Sequence, residues 1–487
     1  MDMIRLTDWL PKPGELLEFT PSATALAAAA AADPAPVAPS YIQEFQLRHR
    51  SVDARHPART ELSMCFTIAE PLDRQALRRT FIQFLRRHDG LRSWLVAEAT
   101  ERSASCRILD PAWVDLDIVS VGSFASGEAL RDRIDDRLRA PDPATWPAFA
   151  LGAIDHGADG FTVYVSIDHA FSDGTSQVAA IFEIHQLYTS YLAGTAPTLA
   201  PVGGYSDYAR HERATAERQP SELEQLARIL ADNIDHIRPL PWDLGLEPGA
   251  SAESIGMRYD LLTGAECDAF TRACAAAGGS FASGIYAAIA LTELELAGRT
   301  RYAGFNMVGT RNTPKFQFTQ GWFVNLMPIV FHVGVAARFT ELVARARTAL
   351  HDIKPLSGVP LFAALPRAAE LAGRELPCVR NWPWVSYMDA RPISGAMLEQ
   401  SLPGLHGIHG LCSTSPTDRP SPLSFHREAD RVHVTVSFPD TPQAHGSVEQ
   451  YIERLRTVLR TVAATGEFAT AAAPSSPRRE MRATVVA

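Results

Sequence analysis

Two residues able to take part in proton transfer, His169 and Asp173, stand four positions apart and are followed directly by Gly174. The eight residues before them, 161–168, alternate apolar and polar side chains, which predicts a half-buried strand. Apolar residues at helical spacing then predict a helix that begins one or two residues after Gly174. The sequence therefore predicts an imidazole held at the tip of a rigid strand.

The two side chains suit different tasks. Histidine has an unperturbed pKa of about 6.5, so at pH 7 His169 is mostly neutral and can take a proton from a hydroxyl or an amine. Asp173 lies too close along a tight turn to relay that proton, and we expect its carboxylate to hold the turn through a cation or backbone N–H groups. Gly174 is expected to let the backbone turn sharply back toward the core. These residue types indicate a general base with a structural carboxylate beside it.

Two other interpretations of the same residues stay open at this level. A surface loop can carry a histidine and an aspartate at this spacing by chance, although the position directly after an alternating strand favours a site. A metal site is less well supported, because no second pair of ligands stands nearby at a recognisable spacing. We therefore predict no metal ion.

The segment His169–Gly174 resembles the active-site motif of the condensation-domain superfamily. That group includes peptide-synthetase condensation domains, chloramphenicol acetyltransferase-like enzymes and the polyketide-associated (Pap) acyltransferases. Other segments agree with family patterns in the same order along the chain, and the resemblance covers about residues 40 to 465. These segments are Pro39–Glu44, Arg87–Arg92, Gly321–Pro328, Ser421–Ser424 and Ser437–Asp440.

The resemblance implies an α/β fold of two chloramphenicol-acetyltransferase-like lobes that form a V-shaped pseudodimer with a central tunnel. It also implies an acyltransferase in which His169 is the general base. The donor would be an acyl thioester, either acyl-phosphopantetheine on an acyl carrier protein or acyl-CoA, with no bound cofactor. The acceptor would be a small-molecule alcohol or amine, and the product an ester in secondary-metabolite or lipid biosynthesis.

Further site residues follow from the same resemblance. Arg311 is the candidate partner for Asp173, and a surface or phosphate-facing arginine is the alternative for it. Asn325 is expected to bond neighbouring backbone groups and hold its strand in place. The oxyanion of the reaction could be met by a backbone N–H near Gly174 or by the hydroxyl of Ser424. Trp322 is a further candidate for the oxyanion site or the tunnel wall.

The chain also departs from the family pattern. Peptide-forming condensation domains usually carry two adjacent histidines, and Asp168 replaces the first of them here. No Asp-Phe-Gly-Trp-Gly segment is found in its usual zone, which reads 413–425. The first departure moves the resemblance toward acyltransferases that esterify hydroxyls, and the second weakens peptide synthesis more than it weakens acyl transfer. The alternatives are a standalone condensation enzyme that forms an amide and a non-catalytic platform for carrier-protein docking.

Composition limits which classes of function and location remain for this protein. The 487 residues are 46% hydrophobic and 21% charged, with a net charge of −9, which argues against nucleic-acid binding. Six cysteines without CxxC pairs are expected to be reduced thiols in a cytoplasmic protein. The longest apolar run, 23–32, is well short of the about 20 residues that a membrane span needs, so no stable membrane insertion is expected. We expect a monomer.

Domain boundaries are predicted where the composition changes. We expect an N-terminal arm at 1–39, an N-terminal lobe at 40–193, a linker at 194–205, a C-terminal lobe at 206–466 and a flexible tail at 467–487. A helical region of about 30 residues is expected to open the C-terminal lobe. Five arginines of the helix predicted at 72–88 form either a solvated face, the better supported interpretation, or a surface for an acidic carrier protein.

Overall fold

The computed structural model describes residues 2–52, 61–97, 104–391 and 401–470. The helices are α1 (Ala23–Ala30), α2 (Tyr41–Val52), α3 (Arg74–Arg87), α4 (Gly127–Leu138), α5 (Gly174–Leu192), α6 (Tyr205–Arg218), α7 (Pro220–Asn233), α8 (Gly264–Ala276), α9 (Phe281–Ala297), α10 (Phe339–Asp352), α11 (Leu361–Ala372) and α12 (Pro442–Thr465).

The strands are β1 (Asp2–Arg5), β2 (Gly14–Pro21), β3 (Glu61–Ile68), β4 (Ser93–Ala97), β5 (Ala104–Ile108), β6 (Leu116–Phe124), β7 (Phe149–Asp155), β8 (Phe161–Asp168), β9 (Ala252–Thr263), β10 (Arg301–Gly309), β11 (Val324–His332), β12 (Trp384–Asp389), β13 (Leu405–Cys412), β14 (Pro416–Thr417), β15 (Leu423–Arg427) and β16 (Arg431–Pro439). Most of them form two seven-stranded sheets, and β4 pairs with β5 alone.

The chain divides into two compact units. Unit 1 contains Met1–Arg218, Gly309–Val324 and Ile393–Thr414, and unit 2 contains Gln219–Val308, Asn325–Pro392 and Ser415–Ala487. Each unit has one of the seven-stranded sheets with helices packed on it. The α/β class with two chloramphenicol-acetyltransferase-like lobes is therefore confirmed.

The sheet of unit 1 places β8 at its centre. Its order is β1-β13-β3-β8-β7-β2-β6, and β8 pairs antiparallel with β3 on one side and β7 on the other. We predicted a half-buried strand, but every residue of β8 is buried. The reason is that both faces are covered: the apolar residues pack into the cluster that includes α3 and α5, and Tyr164 packs with residues of α4.

The serine and threonine hydroxyls of β8 have hydrogen-bond partners in neighbouring elements. Ser166 Oγ accepts a hydrogen bond from Ser63 at 2.9 Å and donates to the carbonyl of Leu138 at 2.7 Å. The hydroxyls of Thr162 and Thr67 lie 2.9 Å apart. Because these serine and threonine hydroxyls have partners, the alternation seen in the sequence is compatible with full burial. The strand that carries His169 at its end is thus fixed on all sides.

The sheet of unit 2 has the order β11-β10-β12-β15-β16-β9-β14. Helix α12 packs on α8, α9 and β9, while α10 packs on α9. Nearly all of α9 is buried, as expected for the central helix of a core. This unit carries Asn325 at the start of β11 and Ser424 in β15.

Several boundaries differ from those predicted. The residues assigned to an arm contain β1 and β2, and β2 pairs with β6 and β7 inside the sheet of unit 1. The single helical region predicted after residue 204 is two helices, α6 and α7, because Pro220 cannot continue α6 and instead occupies the first turn of α7. Helix α6 belongs to unit 1, where Tyr205 and Tyr208 pack with Phe316 and Phe323. Residues 471–487 of the predicted tail lie outside the described residues.

Among the described residues, no single helix is both long and apolar enough to cross a membrane. The pair α8 and α9 passes that test by length and composition together, with a bend of 91° between its two helices.

Candidate active site

His169 lies on a single 3₁₀ turn, His169–Phe171, between β8 and α5. Asp168 closes the start of this turn by accepting a hydrogen bond from the N–H of Ala170 at 2.9 Å. Asp173 caps α5 by accepting from the N–H of Ser176 at 2.7 Å. Asp168 thus has a local role in shaping the turn at the position where peptide-forming relatives carry a histidine.

The turn differs from the prediction at Gly174. This residue is the first of α5, and it is not among the glycines with a positive φ. The change of chain direction is produced by the 3₁₀ turn and the two aspartate caps, so the glycine's left-handed freedom is not what the turn requires.

The imidazole of His169 is mostly buried. Burial lowers the pKa of His169 from its ordinary value, against weaker opposing influences from its own backbone, from the charge of Asp173 and from the backbone of Ser172. Its Nδ1 atom is buried and has no hydrogen-bond partner among the described residues. A histidine with a lowered pKa is neutral at pH 7, which is the form a general base needs.

Trp322 packs against this imidazole. The two ring centroids are 4.0 Å apart, and the ring planes are inclined by 36°. Trp322 is 6% exposed, and its Nε1 has no hydrogen-bond partner within the described ranges. Strand β11 begins at Val324, so the tryptophan lies in the segment before it. The indole that covers the imidazole of His169 therefore belongs to the segment before β11 and not to β8, the strand that carries His169.

Asp173 and Arg311 form the ion pair that the family resemblance implied, in place of the surface or phosphate-facing arginine that was its alternative. Nη2 of Arg311 lies 2.9 and 3.1 Å from the two carboxylate oxygens, and the side chains are 12% and 8% exposed for Arg311 and Asp173. Nη1 donates to the carbonyls of Phe316 and Thr319 at 2.7 Å each. Asp173 also accepts from the N–H of Phe323 at 2.9 Å. The motif aspartate thus ties the turn that carries His169 to the segment that carries Trp322.

The structure reveals further residues that hold this segment and that the sequence analysis did not single out. Ser176 Oγ donates to the carbonyl of Gly321 at 2.9 Å, and Gln320 Nε2 donates to the carbonyl of Ser176 at 2.9 Å. Buried His88 accepts from the N–H of Gln320 at 3.3 Å through Nδ1, and its Nε2 lies 3.1 Å from Glu183. The segment Arg87–Arg92 marked the position of His88, but nothing in the sequence named these partners.

Asn325 and Ser424 lie in unit 2. Asn325 Nδ2 donates to the carbonyls of Ser357 and Val359 at 3.1 and 2.7 Å, and its Oδ1 accepts from the N–H groups of Leu326 and Leu361 at 2.9 and 3.0 Å. The prediction that Asn325 would hold neighbouring backbone is confirmed by these four bonds.

Ser424 is partly exposed in β15, opposite Ser386 of β12 and Thr435 of β16. Its proposed contact with the oxyanion stays a prediction. Among the residues that the structure covers, no group of three or more histidine, cysteine, aspartate or glutamate side chains could hold a metal ion.

The arginines of α3 are engaged within unit 1. Arg74 contacts Glu15 and Asp155 at 2.5 and 3.2 Å, and Arg78 contacts Asp115 at 2.5 Å. Two others also find partners, since Arg87 pairs with Glu183 at 2.7 Å and Arg86 donates to a backbone carbonyl. Because these side chains already have partners within unit 1, the contacts favour the solvated face over a surface for an acidic carrier protein.

Comparison with known proteins matches residues 39–371 to the Condensation domain family. Acyltransferase PapA3 of Mycobacterium tuberculosis is 29% identical over 95% of this chain and 97% of its own. Trehalose-2-sulfate acyltransferase PapA2 of the same organism is 30% identical over 96% of this chain and 98% of its own. The solved structure of a PapA2 acyl transferase superposes with a TM-score of 0.84 and 25% identity, covering 95% of this chain and 100% of its own.

Both the family match and the relatives extend over most of the chain, and they agree with the order of motifs in the sequence. The chain belongs to the condensation-domain family and is similar throughout its length to the Pap acyltransferases.

Proposed function

We propose that this acyltransferase uses His169 as a general base to move an acyl group from a thioester to an acceptor hydroxyl. The observation that carries the proposal is the environment of the imidazole: it is fixed at the end of a central strand, mostly buried, with a pKa lowered by burial. A neutral base of this kind can deprotonate a hydroxyl that lies within hydrogen-bonding distance of it.

The reaction would proceed in two steps at one ring nitrogen. Nε2 takes the acceptor proton while the hydroxyl oxygen forms a bond to the thioester carbonyl carbon, and the carbonyl electrons move to its oxygen. The resulting oxyanion then collapses, the C–S bond breaks, and the leaving sulfur takes the proton from the imidazolium. No acyl-enzyme is needed, because the thioester is already activated.

Asp173 and Arg311 act in this scheme as positioning residues. Their ion pair is buried and shares its donors and acceptors with the backbone of the turn and of the segment before β11. Replacing either residue would displace His169 and its neighbours rather than remove a group from the chemistry.

The donor is an acyl-phosphopantetheine on a carrier protein or an acyl-CoA, and the acceptor is a small-molecule alcohol. One relative is named as an acyltransferase of trehalose-2-sulfate, which supports testing sugar hydroxyls first. The replacement of the first motif histidine by Asp168 supports a hydroxyl acceptor over an amine.

The test is product formation from a panel of acyl-CoA and acyl-carrier-protein donors with trehalose, sulfated trehalose and matched amines, followed by mass spectrometry. His169→Ala should lose turnover by roughly 10²- to 10⁴-fold with an unchanged melting temperature. His185→Ala is the matched control. His185 lies within α5 and is also buried with a lowered pKa, but its Nε2 donates to the carbonyl of Pro403 at 3.2 Å.

Equal turnover in the two variants would refute His169 as the base. Amide without ester would favour the standalone condensation alternative. If no acceptor is acylated while the protein binds a carrier protein or synthetase, the docking-platform alternative would hold.

A further inference from the structure

The indole N–H of Trp322 is a hydrogen-bond donor without an acceptor in the described part of the chain. Trp322 is 6% exposed, so bulk water does not compensate for the missing bond. Leaving a buried donor unpaired costs about 1–3 kcal/mol, and such groups in folded proteins call for an explanation. Trp146 Nε1, by comparison, donates to the carbonyl of Leu91 at 3.1 Å. Trp242, Trp382 and Trp384 also have an unpaired indole N–H in the described residues, so what distinguishes Trp322 is its contact with His169.

This donor lies next to the candidate base. The indole lies against the imidazole of His169 with 4.0 Å between ring centroids. A hydroxyl bound to His169 must lie within about 3 Å of the ring nitrogen, and the carbonyl carbon that it attacks is the next atom along. The oxygen of that carbonyl therefore forms in the immediate neighbourhood of the indole.

The backbone on both sides of Trp322 is held in place. Its carbonyl accepts from the hydroxyl of Tyr205 at 2.9 Å, and the next N–H, that of Phe323, donates to Asp173. Before it, Gly321 must be glycine, because a Cβ there would lie 2.0 Å from the ring of Tyr205. A donor fixed in this way needs no reorganisation when charge develops, which is the condition for effective oxyanion stabilisation.

We propose that the indole N–H of Trp322 donates a hydrogen bond to the thioester carbonyl oxygen as it becomes the oxyanion. This inference rests on the proposed function of His169. It selects one oxyanion donor among the candidates that the sequence analysis left open. It also gives Asp173 a second role: by accepting from the N–H of Phe323, Asp173 positions Trp322 as well as the turn that carries His169. Nε1 keeps its proton throughout, so the electron and proton balance of the two-step scheme is unchanged.

The test removes the indole N–H and keeps an aromatic side chain at position 322. In Trp322→Phe, kcat and kcat/KM for the thioester should fall together by about 10²- to 10³-fold with KM unchanged, because the bond is made only in the transition state. Trp322→3-benzothienylalanine keeps the bicyclic ring and replaces the N–H by sulfur, so it should show the same loss. The pH midpoint of kcat/KM should stay at the wild-type value in the second variant, since the ring still covers His169.

The matched control is Trp242→Phe, which removes another buried indole N–H without a partner in the described residues, from a tryptophan that packs on Tyr451. Its turnover should equal that of the wild type. Retention of kcat within about twofold in Trp322→Phe, or wild-type kcat in the benzothienyl variant, would overturn the inference. A wild-type protein that forms no ester, or a fully active His169→Ala, would instead refute the proposed function.

Discussion

The buried ion pair between Asp173 and Arg311 allows a quantitative test of the site's architecture. Arg311→Met removes the guanidinium but keeps an aliphatic side chain, and it leaves Asp173, 8% exposed, without its counter-charge. Removing one partner of a buried pair costs about 3–5 kcal/mol of unfolding free energy. Asp173 retains the N–H groups of Ser176 and Phe323, so we expect the lower part of that range, about 3 kcal/mol.

The second arm of the experiment is Asp173→Asn, which leaves Arg311 buried without its carboxylate. If the two side chains stabilise each other, the double variant should cost about as much as one single variant, and the coupling energy of the cycle should be about 3 kcal/mol. The free energies of unfolding are measured by urea denaturation followed by tryptophan fluorescence and far-UV circular dichroism.

The control for this cycle is Arg5→Met, which breaks an exposed pair with Asp8 in the same unit. The Arg5 and Asp8 side chains are 42% and 50% exposed, so the expected cost is at most about 1 kcal/mol. Strictly additive effects of Arg311→Met and Asp173→Asn, or a loss in Arg311→Met no larger than that of the control, would refute the argument that this pair holds the site together.

Three other predictions concern pH and stability. Because burial lowers the pKa of His169, kcat/KM should rise with pH and reach its plateau with a midpoint below about 6.5, and a midpoint above that value would contradict a neutral buried base. Asn325→Ala should lower the unfolding free energy by about 2–4 kcal/mol because four hydrogen bonds are lost. Asn325→Asp should lose at least as much in the same urea titration, because it places a buried carboxylate oxygen against the carbonyls of Ser357 and Val359. Burial raises the pKa of Glu212 from 4.5 to about 7, so the folded state binds a proton more tightly than the unfolded chain, and the stability present below about pH 4.5 is lost as the pH rises toward 7. Glu212→Gln, which can still accept the bond that the N–H of Tyr41 donates, should remove that decline between about pH 5 and pH 8, and an unchanged decline would assign it to another group.

Local features of the fold were accessible from the sequence because their causes are local. The period-2 alternation of 161–168 predicted β8 with its bounds, and the helix after it begins at Gly174, within two residues of the prediction. The prediction of half burial was wrong for β8, since alternation reports which side chains are polar but not what covers each face. Hydroxyls such as that of Ser166 are satisfied by neighbouring strands and helices, which the pattern of one strand cannot show.

The candidate site was only partly accessible in the same way. The types of His169 and Asp173 and their spacing indicated a base and a turn-holding carboxylate, and the resemblance to a family supplied Arg311 as the partner. The resemblance named Trp322 as a candidate for the oxyanion site or the tunnel wall, but it did not indicate that the indole would stack on the imidazole of His169. Nothing in the sequence indicated that His88 would bond the segment before Trp322.

The sequence by itself determined the strand, the turn chemistry around His169, the motif order and, through it, the family. Those properties depend on backbone propensities and on residues within a few positions of each other. Only the tertiary structure decided which indole covers the imidazole, and which N–H, that of Phe323, shares the carboxylate of Asp173. These partners are about 150 positions apart, and their contacts arise from the packing of two distant segments, for which no short-range pattern exists.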